Sequence, residues 1–132
     1  MPHIVIQLSV PADAALARQV CHTICEITHR VLGKVEAVMA TSVQFCPAET
    51  WFIGRQSLAE LGQNAYHLDI SVTDETNTKA EKARFLAEVH RAMDALLPQL
   101  HPVCYSHVID ARAAAYGYGG RSQEWRHQQA GV

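Results

Sequence analysis

No apolar run in this sequence approaches the roughly 18 residues that a membrane-spanning helix needs. There is no basic run either. The 11 Lys and Arg against 13 Asp and Glu leave a net charge of −2, so nucleic acid and anionic membranes are poor partners. The first residues lack the charged and long apolar regions of a secretory signal. The four cysteines have no paired spacing, which suits a reducing cytoplasm better than a disulfide framework, and a cytoplasmic location is expected. What is present is a globular balance, 48% hydrophobic and 18% charged, which excludes a disordered chain. At 132 residues one domain is expected, long enough for a proper core.

The pattern runs the length of the chain. His3 to Ser9 alternates Ile4, Ile6 and Leu8 with Val5 and Gln7 at period 2, a strand. Pro11 and Asp13 then open a helix to Leu32. Its stripe is Ala17, Val20, Cys21, Ile24, Ile27, Thr28 and Val31, and Gly33 stops it. Val38 to Cys46 is a second strand, followed by a short apolar arm, Trp51-Phe52-Ile53-Gly54, and a polar loop from Arg55 to Asn64. Ala65 to Val72 is a third strand. Thr78-Lys79-Ala80-Glu81 is a capping box for a second helix, with Ala83, Leu86, Val89, Met93 and Leu97 on its buried face. Val103 to Asp110 is a fourth strand. The glycine-rich Tyr116-Gly117-Tyr118-Gly119-Gly120 reads as a turn or arm, and Arg121 to Val132 as a polar tail that frays.

Strand, helix, strand and arm thus occur twice, offset by about 62 residues. Leu8-Ser9-Val10 matches Ile70-Ser71-Val72, and Ile53-Gly54 matches Tyr116-Gly117. Two βαβ units, about 1–62 and 63–120, predict an α+β two-layer sandwich. It has a four-stranded mixed sheet with both helices on one face. The ferredoxin-like βαββαβ arrangement is the rival topology. Open sheet edges and two apolar arms predict self-association.

Pro2 is the unusual residue of the first strand. A proline at a strand's first position needs no ladder donor. With Met1 removed, its ring nitrogen is a secondary amine on a rigid strand. A free α-amino group has a pKa of about 7.7–8.0, and an apolar pocket lowers it. Such a nitrogen can be a general base near neutral pH.

A chain beginning Met-Pro and built as a doubled βαβ resembles the tautomerase superfamily. The likeness extends to the glycine-aromatic stretch at Tyr116–Gly120 and to His29-Arg30-Val31-Leu32-Gly33. It covers roughly residues 1 to 120 of the 4-oxalocrotonate tautomerase-like type, with a layout similar to cis-3-chloroacrylic acid dehalogenase relatives. The resemblance implies Pro2 as catalytic base, His29 as a substrate-orienting or acid residue, no cofactor, a small-molecule substrate and a homotrimer. The departures matter. The turn after the third strand, Thr73 to Thr78, holds acids and no arginine. Ala114 and Ala115 stand where a water-activating glutamate is expected. The positions of the usual carboxylate-binding arginines are Pro11 to Asp13 and Gln44. Keto-enol tautomerisation of a 2-oxo acid or related unsaturated carbonyl compound is therefore expected over hydrolytic dehalogenation. Hydration, decarboxylation and a non-catalytic trimeric binding module are the alternatives.

Arg112, ahead of Arg121 and Arg55, is the candidate to hold a carboxylate bidentately. Phe52, with Trp51, can wall an apolar pocket, and Tyr105 can donate a hydrogen bond. By helical phase alone His29 is a solvated histidine beside His22. Cys21, Cys25 and His29, at i, i+4 and i+8, lack the further ligand that zinc wants, so no metal is expected.

Overall fold

The computed structural model describes residues 2–131. Met1, on which the expected processing falls, and Val132 lie outside the described residues. Asp13 caps the first helix, α1 (Ala14–Leu32), by accepting from the amides of Ala15 and Leu16. Gly33 ends it in the left-handed region at φ 69°. The chain then returns to β2 (Ala40–Phe45), which lies parallel to β1 (His3–Leu8) with His3 beside Ala40. The second unit repeats this with β5 (Tyr66–Thr73), α3 (Lys79–Leu96) and β6 (Tyr105–Ala111). Thr78 and Glu81 form the expected capping box of α3.

The sheet order is β2-β1-β5-β6, parallel within each unit and antiparallel where β1 meets β5. Each helix therefore joins neighbouring parallel strands, which is the doubled βαβ and not the ferredoxin-like rival. Ile4, Ile6 and Leu8 of β1 and Tyr66, Leu68, Ile70 and Val72 of β5 point to one face. There they share a core with Val20, Ile24, Ile27 and Val31 of α1 and Phe85, Val89 and Met93 of α3. Both helices cover this face. Burying each large side chain contributes about 1.5–3 kcal/mol. The phase of α3 differs from expectation: Phe85 is buried, whereas Ala83 and Leu86 are exposed. Phe85 and Leu86 both lie one turn before Val89, and the larger ring takes the inward place. No helix among the described residues is long and apolar enough to cross a membrane.

Two segments are more ordered than their composition suggests. After the arm at β3 (Phe52–Ile53) the chain folds back as β4 (Gln56–Ser57) and a one-turn helix, α2 (Leu58–Leu61), with a Ser57–Glu60 capping box. The second unit does the same with β7 (Gly117–Tyr118), β8 (Arg121–Ser122) and α4 (Gln123–Gln129), capped by Ser122. The supposed fraying tail is thus a hairpin and a helix through Gln129. Gly54 and Gly119, both left-handed, and the caps Ser57 and Ser122 are each 65 residues apart. The repeat therefore matches Gly54 to Gly119, and not Ile53-Gly54 to Tyr116-Gly117. Arg126 stacks over the Tyr118 ring at 3.8 Å and donates to the Tyr118 carbonyl at 2.7 Å, which ties α4 to the hairpin.

Gly117 is required by proximity: a Cβ there would strike the Arg121 carbonyl oxygen and approach the Ser122 Cα to 2.7 Å. Gly117→Val should open the hairpin at a cost of about 1–3 kcal/mol. In a Trp51→Phe background it should red-shift Trp125 emission and lower the melting temperature. Unchanged emission and melting would contradict this close approach.

Candidate active site

The topology gathers the candidate chemistry at one end of the sheet. β1 and β2 begin there, β5 and β6 end there, and α1 terminates above it. Pro2 is buried at this end, and its carbonyl accepts from the Ala40 amide at 3.4 Å. Continuing the His3–Ser71 register sets Pro2 opposite Val72, one residue short of Thr73. On the sheet it follows the parity of Ile4, Ile6 and Leu8, the core-facing residues.

Tyr116 closes the seam beside it. Its hydroxyl donates to the Ser71 carbonyl at 2.9 Å and receives a hydrogen bond from the backbone of His3, the residue after Pro2. Burial pushes this phenol above its ordinary range, and the bond from the His3 backbone partly opposes the shift. The phenol therefore stays protonated near neutral pH. It clasps the first rung of β1 and fixes where Pro2 sits.

Lys34 stands just beyond Gly33, on the crossing from α1 to β2, and is 8% exposed. Its Nζ donates to Thr76 Oγ1 at 2.8 Å, and Thr76 Oγ1 donates to the Thr73 carbonyl at 2.5 Å. The chain of bonds thus leads from the ammonium to the end of β5 beside Pro2. Desolvation lowers the Lys34 pKa, opposed by the charge of Glu81. Lys34 and Thr73 share the wall of a cleft of about 630 Å³ with Asp74, Gln123, Arg126 and His127, a size that suits a small molecule.

His29 and Arg112 lie at this same end. The His29 ring is exposed, and its Nδ1 bonds the Lys34 carbonyl at 2.7 Å. A carbonyl only accepts, so Nδ1 is the donor of this bond. The histidine thus holds the backbone of the buried lysine. Arg112 is exposed at the start of the turn that leads to Tyr116. Phe52 and Tyr105, 55% and 69% exposed, lie at the opposite end of the sheet, where β2 ends and β6 begins. Tyr105 borders a separate hollow of about 360 Å³ with Tyr66 and His90, where the Tyr66 hydroxyl meets His90 Nδ1 at 2.9 Å. One protomer does not bring these two residues to Pro2. Among the described residues no three His, Cys, Asp or Glu side chains stand close enough to hold a metal ion.

Sequence reasoning passed over Lys34, Tyr116, Gln123 and Arg126. The available signals were the Gly33-Lys34 step after a capped helix and the aromatic before the Gly117 hairpin.

No protein family's sequence profile matches this chain, and neither does any curated protein sequence. Solved structures do match it in fold. A macrophage migration inhibitory factor-like protein from Entamoeba histolytica superposes with a TM-score of 0.75 at 16% identity, over 92% of this chain and 97% of that one. A fused 4-OT, described as a wild-type symmetric trimer, gives 0.79 at 14% identity over 94% and 98%. A protein described as inactivated by 2-oxo-3-pentynoate gives 0.79 at 13% identity over 92% and 96%. At these identities the likeness is one of fold, the doubled βαβ with its four-stranded mixed sheet.

The buried lysine makes a testable demand. Its folded-state pKa lies below its ordinary 10.5. The native state thus carries a penalty that is full below the folded pKa and fades as pH rises towards 10.5. Lys34→Met should be more resistant to urea than wild type at pH 7, and this advantage should shrink by pH 10. A variant less stable at pH 7, or an advantage independent of pH, would contradict the desolvation.

Proposed function

We propose that this protein, built on the tautomerase fold, is a cofactor-independent tautomerase whose general base is the nitrogen of an N-terminal Pro2. The observation that carries this reading is the burial of Pro2 at the start of β1, next to the Tyr116–His3 clasp and at the sheet end that also carries the Lys34 cleft. Burial disfavours a cationic amine, so the nitrogen is available to take a proton. The substrate is a 2-oxo acid or related unsaturated carbonyl compound. Pro2 removes a proton from carbon α to the carbonyl, and the electron pair moves onto the carbonyl oxygen. Lys34 stabilises the enolate, and the proton returns to oxygen or to a more distant carbon. His29 holds Lys34 in place, and Arg112 stands at the same sheet end, where it would meet an arriving anion.

The assembly belongs to the same proposal. Strands β2 and β6 are open edges. Phe52 and Tyr105 can reach a Pro2 site only from a neighbouring subunit, because they occupy the opposite end of their own sheet. A homotrimer would place one subunit's far end against the next subunit's Pro2. The trimeric state in the description of the fused 4-OT supports this arrangement.

Ketonisation of phenylenolpyruvate tests the reaction, and 2-oxo-3-pentynoate tests the base. Pro2→Ala should lower the rate by about 100-fold or more, the usual worth of a positioned base. Mass mapping should find a single label on Pro2 in a chain lacking Met1. Full activity in Pro2→Ala, or labelling confined to cysteine with Met1 intact, would exclude the mechanism. Light scattering should give about three times the 14.6 kDa chain mass, and a fully active monomer would remove the shared site.

A further inference from the structure

The arginines expected to bind a carboxylate are missing from their usual positions, yet the cleft is not short of donors. Arg126 reaches it from α4. Its guanidinium lies flat on the Tyr118 ring, and one Nη is committed to the Tyr118 carbonyl. Its Nε, though buried, has no protein partner, and the same holds for Oε1 of Gln123, one turn earlier on the same helix. Both residues line the cleft whose wall also holds Lys34. A buried polar group left unpaired costs about 1–3 kcal/mol, and more when charged. Two such atoms on a seven-residue helix, fixed against its own hairpin, are features a ligand would satisfy.

We propose that α4 is the substrate-recognition element of this site. Arg126 Nε–H receives the carboxylate, and Gln123 Oε1 accepts from a hydroxyl on the adjacent carbon. This rests on reading the cleft as the tautomerase site. The donor and acceptor pattern matches the enol of a 2-oxo acid, in which a hydroxyl neighbours the carboxylate. Arg126 is held by stacking and by one bond, so little is lost in ordering it when the ligand binds. Acidic residues also shape the choice. Asp74, Glu75 and Glu124, all exposed, stand in the same wall, and they would repel a second carboxylate. The site is therefore selective for monocarboxylates carrying a 2-hydroxyl group, as the enol of a 2-oxo acid does.

Binding, and not turnover, tests this, so a failure of the tautomerase reading stays separate. Phenyllactate carries the carboxylate and 2-hydroxyl but cannot enolise. By calorimetry the full chain should bind it at least about tenfold more tightly than its methyl ester, the worth of one charge-assisted hydrogen bond. Arg126→Gln should abolish that preference, and Arg126→Lys should restore part of it. cis,cis-Muconate, a dicarboxylate, should bind less tightly than phenyllactate. Acid and ester bound alike by wild type would overturn the assignment. So would an equal loss for both in Arg126→Gln, since Arg126 would then only anchor α4. Muconate bound as tightly as phenyllactate would overturn the monocarboxylate selectivity. Arg126-dependent binding in a protein without enolpyruvate turnover would uphold α4 as the recognition element and refute the reaction alone.

Discussion

The antiparallel ladder between β1 and β5 is the constraint on which the site depends. It is the seam between the two βαβ units, and its register pairs Ile4 with Ile70 and Ile6 with Leu68, all facing the helices. A slip of one residue would turn every one of these side chains to the uncovered face. Burial therefore fixes the register strongly, and with it the depth at which Pro2 sits. The last rung of the seam, His3 beside Ser71, is the place where the Tyr116 hydroxyl bonds both strands.

A common electrostatic condition follows. Pro2 is buried, Lys34 is nearly so, and Tyr116 is half-buried. Low-polarity surroundings favour the neutral forms of Lys34 and Tyr116: the lysine is pulled down and the phenol pushed up. For a proposed base this is the useful direction, because a neutral nitrogen can accept a proton at ordinary pH. The cost of burial is distributed. Lys34 retains a hydrogen bond to Thr76 and attraction to Glu81, and Tyr116 retains the Ser71 carbonyl.

The fold was largely legible in the sequence because strong periodicity and caps mark its main elements. Asp13, Gly33 and the Thr78–Glu81 box bound the helices at the expected places. The doubled pattern gave the two units, and Pro2 announced itself by its position. Lys34 could not be read this way. A lysine after a helix is usually solvated, and only the left-handed turn at Gly33 with the crossing to Ala40 carries it inward. Arg126 and Gln123 were hidden for another reason. Their segment is polar, and its order comes from a close backbone approach at Gly117, the Ser122 cap and the stack on Tyr118. Nor does one chain's sequence reveal that Phe52 and Tyr105 stand at the far end of the sheet.

The central claim is that a neutral proline nitrogen stands at this sheet end near pH 7. The direct measurement is a pH titration of proline ¹⁵N chemical shifts in uniformly ¹⁵N-proline-labelled protein. One secondary-amine resonance should appear and titrate below the roughly 7.7–8.0 of an ordinary α-amino group. Absence of any titrating proline nitrogen, or a midpoint above that range, would contradict the account.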